Sequence, residues 1–294
     1  MKSILAATDF SAPSLNAARR AAALAREHAA TVTLMHVVPS GGLQELRQWL
    51  AGGEALEQRL HEEARERLAA LADELRAGQA LSVRTVHTLG AVVDDLLIES
   101  SSTSSDLVVV GARGAGLLRR LVLGTTAERL LRRASRPVLV ARRDFRQPYR
   151  RLLVGVDFSP WSAPLVALAR KVAAQAHLVL LHAFQIPFEE KLRFAGVDAA
   201  TLELHRQQAR AEAARGLCGL AQAAGLAAGS WDPCIVEGEA WQRIVEHEQL
   251  QDCELVVLGK HGRTAAEDLL LGSVTERVLA EGAADVLVST SRDA

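Results

Sequence analysis

Two glycine-rich stretches of this 294-residue chain have the residue types and the spacing to hold a phosphate. The first runs from Gly111-Ala112-Arg113-Gly114 to Gly124-Thr125-Thr126-Ala127-Glu128-Arg129. The second runs from Gly259-Lys260-His261-Gly262 to Gly272-Ser273-Val274-Thr275-Glu276-Arg277. Both read G-x2-G-x9-G-[S/T]. A glycine directly after a buried strand lets the backbone turn and come close to a ligand. A Gly-Ser or Gly-Thr pair at a helix start offers backbone N–H groups, a hydroxyl and the positive end of the helix dipole. Together these suit an anion. One copy would be weak, because strand–glycine–cap–helix arrangements are common without any ligand. Two copies with one spacing carry the argument further. Neither is a Walker A loop or the G-x-G-x-x-G dinucleotide fingerprint.

The loops belong to a larger repeat. Leu5-Ala6-Ala7-Thr8-Asp9-Phe10-Ser11 returns as Leu153-Val154-Gly155-Val156-Asp157-Phe158-Ser159, an offset of 148 residues. The same offset carries Gly90 to Gly238, Gly124 to Gly272, and Glu128-Arg129 to Glu276-Arg277. Thr31–His36 returns at His177–His182 with an offset of 146, which puts a small insertion or deletion in the first helix or its loop. The seam lies in the charged stretch from Arg142 to Arg151, which contains Pro148 and reads as a solvated linker. No aromatic platform or basic helix accompanies its arginines, so they do not read as a nucleic-acid site. The halves so delimited are 1–143 and 150–294, joined by 144–149.

Each half supplies the elements that must position its loop. The apolar runs Ile4–Thr8 and Leu152–Val156 read as buried strands, each followed by a helix, Ser14–His28 and Ala163–Gln175. Val32–Val38 and Leu178–Phe184 read as the next strands. A charged amphipathic helix follows in the first half, with Leu56, Leu60, Ala64, Leu68, Leu71 and Leu75 on one face and Gly78 as its cap. Val83–His87 opens another strand–helix unit that reaches Gly90. Leu107–Val110 and Leu255–Leu258 lead into the glycine loops. The helices Thr125–Arg133 and Ser273–Ala280 and the strands Val138–Val140 and Val286–Val288 close the halves. Strictly alternating strands and helices, with strands apolar throughout, predict an α/β fold of two doubly wound, five-stranded parallel-sheet domains. Such sheets bind ligands at the carboxyl ends of their strands.

Composition limits the alternatives. Hydrophobic residues make up 49% and aromatics only 4%, so the cores must be built from Ala, Leu and Val. A net charge of −1 argues against nucleic-acid binding by bulk electrostatics. No apolar run is long enough for a membrane span. The start, Met1–Asp9, reads as a short strand rather than a signal peptide, because Asp9 cuts its apolar stretch. Cys218, Cys234 and Cys253 are odd in number and lack metal-ligand spacing, which suits a reduced cytoplasmic protein; a Cys234–Cys253 disulfide stays open. The Asp-Phe-Ser repeat can cap the first helix through Asp9 or Ser11, a role compatible with ligand binding. His36 and His182, on buried strands, read as core histidines before catalysts.

The chain resembles the universal stress protein family, in its ATP-binding subgroup and tandem arrangement. The resemblance rests on Asp-Phe-Ser after the first strand, His-Val after the second, the glycine pattern with its Ala-Glu-Arg sequel, and Arg136-Pro137-Val138-Leu139-Val140. It covers nearly all of both halves. It implies a Rossmann-like fold of the adenine nucleotide alpha hydrolase type that binds ATP or AMP, with Mg²⁺ accompanying the nucleotide. Ala7, Thr8 and Asp9, with Gly155, Val156 and Asp157, would lie beside the nucleotide, and Asp9 and Asp157 would meet its metal ion. Val37 and Ala183 would touch adenine through backbone groups. Gly111 and Gly259 would approach the ribose. Gly114, Gly124 and Thr125, with Gly262, Gly272 and Ser273, would cradle phosphates, helped by Arg113, Thr126, His261, Val274 and Thr275. The last strands would pair across the halves into an internal pseudo-dimer and cover an edge, and a homodimer is implied beyond that.

The two sites are not expected to be equal. Residues 1–147 carry 20 Lys and Arg against 16 Asp and Glu, and residues 148–294 carry 14 against 19. Arg119-Arg120 in the first loop aligns with Glu267-Asp268 in the second. If these side chains lie near the phosphates, the first half binds ATP more tightly; the other reading has both pairs in solvent. The resulting expectation is a regulatory nucleotide-binding module for the stress response, acting through an unidentified protein partner, with at most weak ATP hydrolysis. A slow ATPase and a dimerising scaffold with vestigial sites are the alternatives. The halves differ most at Pro39–Gly53 and Gln185–Thr201, where partner or lipid specificity could reside. There Phe184, Phe188, Leu192 and Phe194 either line a hydrophobic pocket or pack ordinarily.

Overall fold

The computed structural model describes residues 1–40, 53–77, 80–112, 123–145, 147–186, 188–262 and 271–290. Gly78, Arg113, Gly114, Arg119, Arg120, Glu267, Asp268, most of the segment from Pro39 to Gly53, and the side chains of Leu56 and Leu192 lie outside the described residues. The chain divides into two units: residues 1–148 with 285–290, and residues 149–284 with 291–294.

The first unit runs β1 (Ser3–Ala7), α1 (Ala12–His28), β2 (Thr31–Pro39), α2 (Gly53–Arg76), β3 (Ser82–Gly90), α3 (Val92–Ser102), β4 (Leu107–Gly111), α4 (Thr125–Arg133) and β5 (Val138–Ala141). Its strands lie in the order β3-β2-β1-β4-β5, all parallel. Strand order therefore switches between β1 and β4, where the chain's carboxyl-terminal strand ends leave a crevice. Helix α1 shows why so few aromatics suffice. Ala17, Ala18, Ala21, Ala22 and Ala25 have no accessible surface, so small side chains let the helix lie close on β1 and β4. Each fully buried Leu or Val of these strands adds about 1.5–3 kcal/mol. Ser11 caps α1 by accepting from the Ser14 N–H, Pro13 occupies its first turn, and Ala29 ends it in the left-handed conformation. Ala64, Leu68, Leu71 and Leu75 form the buried face of α2, as their spacing predicts.

The second unit runs β6 (Arg151–Gly155), α5 (Ser162–Val172), β7 (His177–Phe184), α6 (Glu189–Phe194), α7 (Ala199–Ala223), β8 (Trp231–Glu237), α8 (Ala240–Leu250), β9 (Leu255–Gly259) and α9 (Ser273–Glu281). Its sheet has the order β8-β7-β6-β9, again parallel, with the switch between β6 and β9. Helix α5 stops at Val172 rather than Gln175, because Ala173 leaves helical geometry at φ −137° and ψ 78°. Helix α3 completes the strand–helix unit that opens at Val83, beyond Gly90, where the sequence expectation ends, and α8 is its repeat. The acidic and serine residues of Asp94–Ser102 blur the periodicity of α3.

The last strands of the two halves pair with each other, as the resemblance implies. The last strand, β10 (Asp285–Ser289), belongs to the first unit, where Val286, Leu287 and Val288 pair antiparallel with Val140, Leu139 and Val138. The first unit thus has a sixth, antiparallel strand, and the second keeps four. Asp285 fixes the addition. It is fully buried, forms an ion pair with the buried Arg20 at 3.2 Å, and its Oδ1 accepts from the Arg142 and Arg143 backbone N–H groups at 2.7 and 2.9 Å. The stretch after β5 is likewise more than a solvated linker. Arg143 and Asp144 are exposed, but Asn16 donates to the Arg143 carbonyl and accepts from the Phe145 N–H. Arg20 donates to the Gln147 carbonyl and lies over the Phe145 ring at 5.0 Å.

Candidate functional site

At the end of β1, backbone and side chains converge in one pattern in both units. Thr8 N–H donates to the Met35 carbonyl, and Val156 N–H donates to the Leu181 carbonyl, both at 2.9 Å. His36 Nδ1 lies 2.8 Å from the Thr8 carbonyl, and His182 Nδ1 lies 2.9 Å from the Val156 carbonyl. A carbonyl only accepts, so each ring carries its proton on Nδ1 and donates. Phe10 and Phe158 cover these rings, with centroids 4.5 and 4.3 Å apart. Both phenylalanines sit at positive φ, 62° and 59°, so the turn after each aspartate is the same. The two histidines are therefore clasps between the first and second strands of each unit.

The aspartates differ slightly. Asp9 Oδ1 accepts from the Ser11 N–H at 3.0 Å and the Ser11 hydroxyl at 2.5 Å. Asp157 Oδ1 accepts from the Ser159 N–H at 3.0 Å and the Ser162 hydroxyl at 3.1 Å. In each case one carboxylate oxygen orders the turn into the first helix. A Cβ on Gly262 would stand 3.3 Å from Asp157 Oδ2, which puts this carboxylate against the second glycine loop. Thr8 is buried, and its hydroxyl is bonded to Ser14 Oγ and the Phe10 N–H. Alternate residues of a strand point their N–H and C=O to the same side. Val37 therefore aims its backbone groups, like Met35, toward the side that β1 has vacated by Ala7, and Ala183 does the same beyond β6.

The glycine loops are pinned at their ends. Gly124 N–H donates to the Ala112 carbonyl, and Gly272 N–H donates to the Lys260 carbonyl, both at 2.8 Å. Gly124 and Gly272 are the N-caps of α4 and α9, and neither helix has a side-chain cap among the described residues. Helices α1 and α7 do, through Ser11 and Asp198. The first N–H groups of α4 and α9, with the helix dipole behind them, thus have no side-chain acceptor among the described residues. Gly111 has a packing reason of its own: a Cβ there would meet the Pro13 backbone at 2.8 Å. Thr275 departs from its expected place. It is buried and its hydroxyl donates to the Gly259 carbonyl at 2.8 Å, tying loop to helix and leaving only its backbone for a ligand.

In the first unit a cavity of ≈ 370 Å³ opens at the start of α4. Thr125, Thr126, Arg129 and Arg133 line it from α4, with Gly90, Val92, Val93 and Asp94 opposite and Pro39 at its rim. Of these, only Thr125 and Thr126 were sequence candidates. The signal for the others is the offset that carries Gly90 to Gly238 and Arg129 to Arg277. Arg133 pairs with Asp94 at 2.5 Å, and Arg129 is the other cation that lines the cavity among the described residues. Beneath Phe10, His36 stacks on His87 at 6.0 Å and His61 meets His87 edge-on at 4.8 Å. Burial, then the nearby His61, His36 and Arg65, hold His87 below the usual histidine range.

The second unit surrounds its loop with larger side chains. Lys260 and His261 are buried, and the His261 and Trp161 rings lie 5.4 Å apart. Arg277 stacks over the Trp241 indole at 4.9 Å. Phe188 and Phe194 are 71% and 97% exposed, while Phe184 is buried. The three cysteines are thiols, with Cys234 and Cys253 buried and Cys218 exposed. Burial pushes the Cys253 thiol up to about 12. No helix among the described residues is long and apolar enough to cross a membrane, and no group of His, Cys, Asp or Glu among them could hold a metal ion by itself.

Comparison with known proteins agrees with the repeat. The family model described as "Universal stress protein family" matches residues 1–142 and again 148–289. A universal stress protein of Mycolicibacterium smegmatis is 31% identical over 314 residues, covering 98% of this chain and 97% of its own. Universal stress protein Rv2005c of Mycobacterium tuberculosis is 29% identical, covering 72% of this chain and 70% of its own. Among solved structures, a universal stress protein from Archaeoglobus fulgidus superposes with a TM-score of 0.68 at 18% identity, covering 97% of both chains, a likeness of fold.

Proposed function

The chain belongs to the universal stress protein family, and on that premise we propose that it is a regulatory module that binds ATP or AMP. The nucleotide lies at the carboxyl ends of the strands in each of two domains, 1–143 and 150–294, and its state alters a protein partner during stress. The observation that carries the reading is the start of α4. N–H groups with no side-chain cap among the described residues, a loop pinned by Gly124, and Arg129 all border one cavity of ≈ 370 Å³. Asp9 and Val37 sit where β1 ends, Asp9 to meet a nucleotide-bound Mg²⁺ and Val37 to meet adenine. Gly155, Val156, Asp157, Ala183 and the Gly259–Gly262 and Gly272–Ser273 segments hold the corresponding places in the second domain.

The first site is the tighter one. This asymmetry does not depend on Arg119 and Arg120 alone: Arg133, which lines the first cavity, is replaced by Glu281 in the second domain, whereas Arg129 keeps its counterpart in Arg277. Gly124 and Gly272 have ordinary extended backbones, at φ −63° and −59°, so valine at either tests space rather than conformational strain. Calorimetry should find that Gly124→Val removes most MgATP binding and that Gly272→Val removes little. Equal losses from the two changes would reject the asymmetry. A freshly purified chain that neither carries nor binds any adenine nucleotide would reject the reading as a whole.

A further inference from the structure

The cavity at the start of α4 has a direct counterpart in sequence. Val93 is the second residue of α3 and Trp241 the second of α8; Arg129 is the fifth residue of α4 and Arg277 the fifth of α9. In the first unit Val93 and Arg129 line open space. In the second, an indole stands where the valine was, and the arginine is stacked on it at 4.9 Å. A cation held on an indole face is stabilised, more so as water is excluded. The half-buried indole therefore takes up volume that the valine leaves open, and the exposed arginine is held on its face.

Charge changes along with shape. The first unit's Ala91 becomes Glu239, and Arg133 becomes Glu281. Asp94, the ion-pair partner of Arg133, becomes Gln242. Asp95, against Gly90, becomes Arg243, against Gly238, so the changes of charge offset one another and the indole is the difference that remains.

We propose that Trp241, locked by Arg277, is the specificity determinant that closes the second unit's site to ATP. The proposal rests on the nucleotide-binding reading above and adds what decides between the two halves. The opposite role for the indole, a stacking platform for the base, makes the opposite prediction.

The test uses the full chain and calorimetry with MgATP, with circular dichroism to establish that each variant is folded. Wild type should bind one ATP per chain. In a chain whose first site is silenced by Gly124→Val, adding Trp241→Val should raise ATP affinity roughly tenfold or more. Val93→Trp should abolish binding at the first site, and this arm stands even if the Trp241 variant does not fold. Unchanged or weaker binding on Trp241→Val, or a first site indifferent to Val93→Trp, overturns the proposal while nucleotide binding itself stands. A wild-type chain that binds no ATP in either half overturns the nucleotide reading and this one with it.

Discussion

Cys253 and His87 give the sharpest expectations at the scale of single residues. The Cys253 thiol, pushed up to about 12 by burial, presents a thiolate near pH 8 in on the order of one molecule in ten thousand. Cys234 is raised by the same cause, while Cys218 is exposed. A thiol reagent at that pH should therefore label Cys218 in the native chain and reach the other two only on unfolding. Labelling of native Cys253 at the rate of Cys218 would contradict the burial. His87 gives a pH dependence. Its folded value lies below the 6.5 of the unfolded chain, so the unfolded state binds the proton more readily. The stability it permits is complete above about pH 6.5 and is lost as pH falls from there toward the folded value. The melting temperature of the wild type should drop more between about pH 7.5 and 5.5 than that of His87→Gln. Parallel curves would mean that the ring titrates without consequence.

At the scale of elements, β10 is held by one carboxylate. Asp285 faces Arg20 in a site where both are buried, and it also takes two backbone N–H groups of the chain leaving β5. Removing one partner of such a pair strands the other charge, at a cost of about 3–5 kcal/mol, whereas replacing both by apolar residues costs much less. Urea unfolding of Asp285→Ala should show that loss, and Arg20→Met combined with Asp285→Leu should recover most of it. Equal losses in the single and double variants would mean that the backbone bonds to Asp285, and not the ion pair, hold the strand. The glycine-capped helices work in the opposite sense. Ser11 and Asp198 close the starts of α1 and α7, while α4 and α9 begin on residues with no side chain to offer.

At the scale of the whole molecule, the repeat was legible because it is written in glycines and apolar runs. The offset of 148 and the strand–loop–helix order around each glycine pair locate both candidate sites without coordinates. Two things were not legible, for distinct reasons. The resemblance implies that the last strand pairs with Val138–Val140, but apolar alternation does not show that Asp285 is held there by Arg20, far away in sequence. The cavity was hidden because its walls come from β2, the loop into α3, and α4, none of which is unusual alone. Trp241 had no meaning until Val93 was seen lining that cavity. The duplication thus preserves the frame of a site while changing its walls. The expected consequence is unequal binding: calorimetric titration of wild type with ATP should give one tight step and no second step of equal affinity.

The placement of β10 also sets a schedule. The parallel strands of the first unit are complete by Ala141, yet the strand that pairs with β5 begins at Asp285. At about 5–20 residues per second, a ribosome needs roughly 7–30 s to make the chain between them. Throughout that interval the unit can fold its parallel core while β5 waits with one side unpaired, the condition in which strands join the wrong neighbour. Birth of this protein thus includes a window in which one nascent chain is a template for another, and β10, made well after β5, is the strand that closes it.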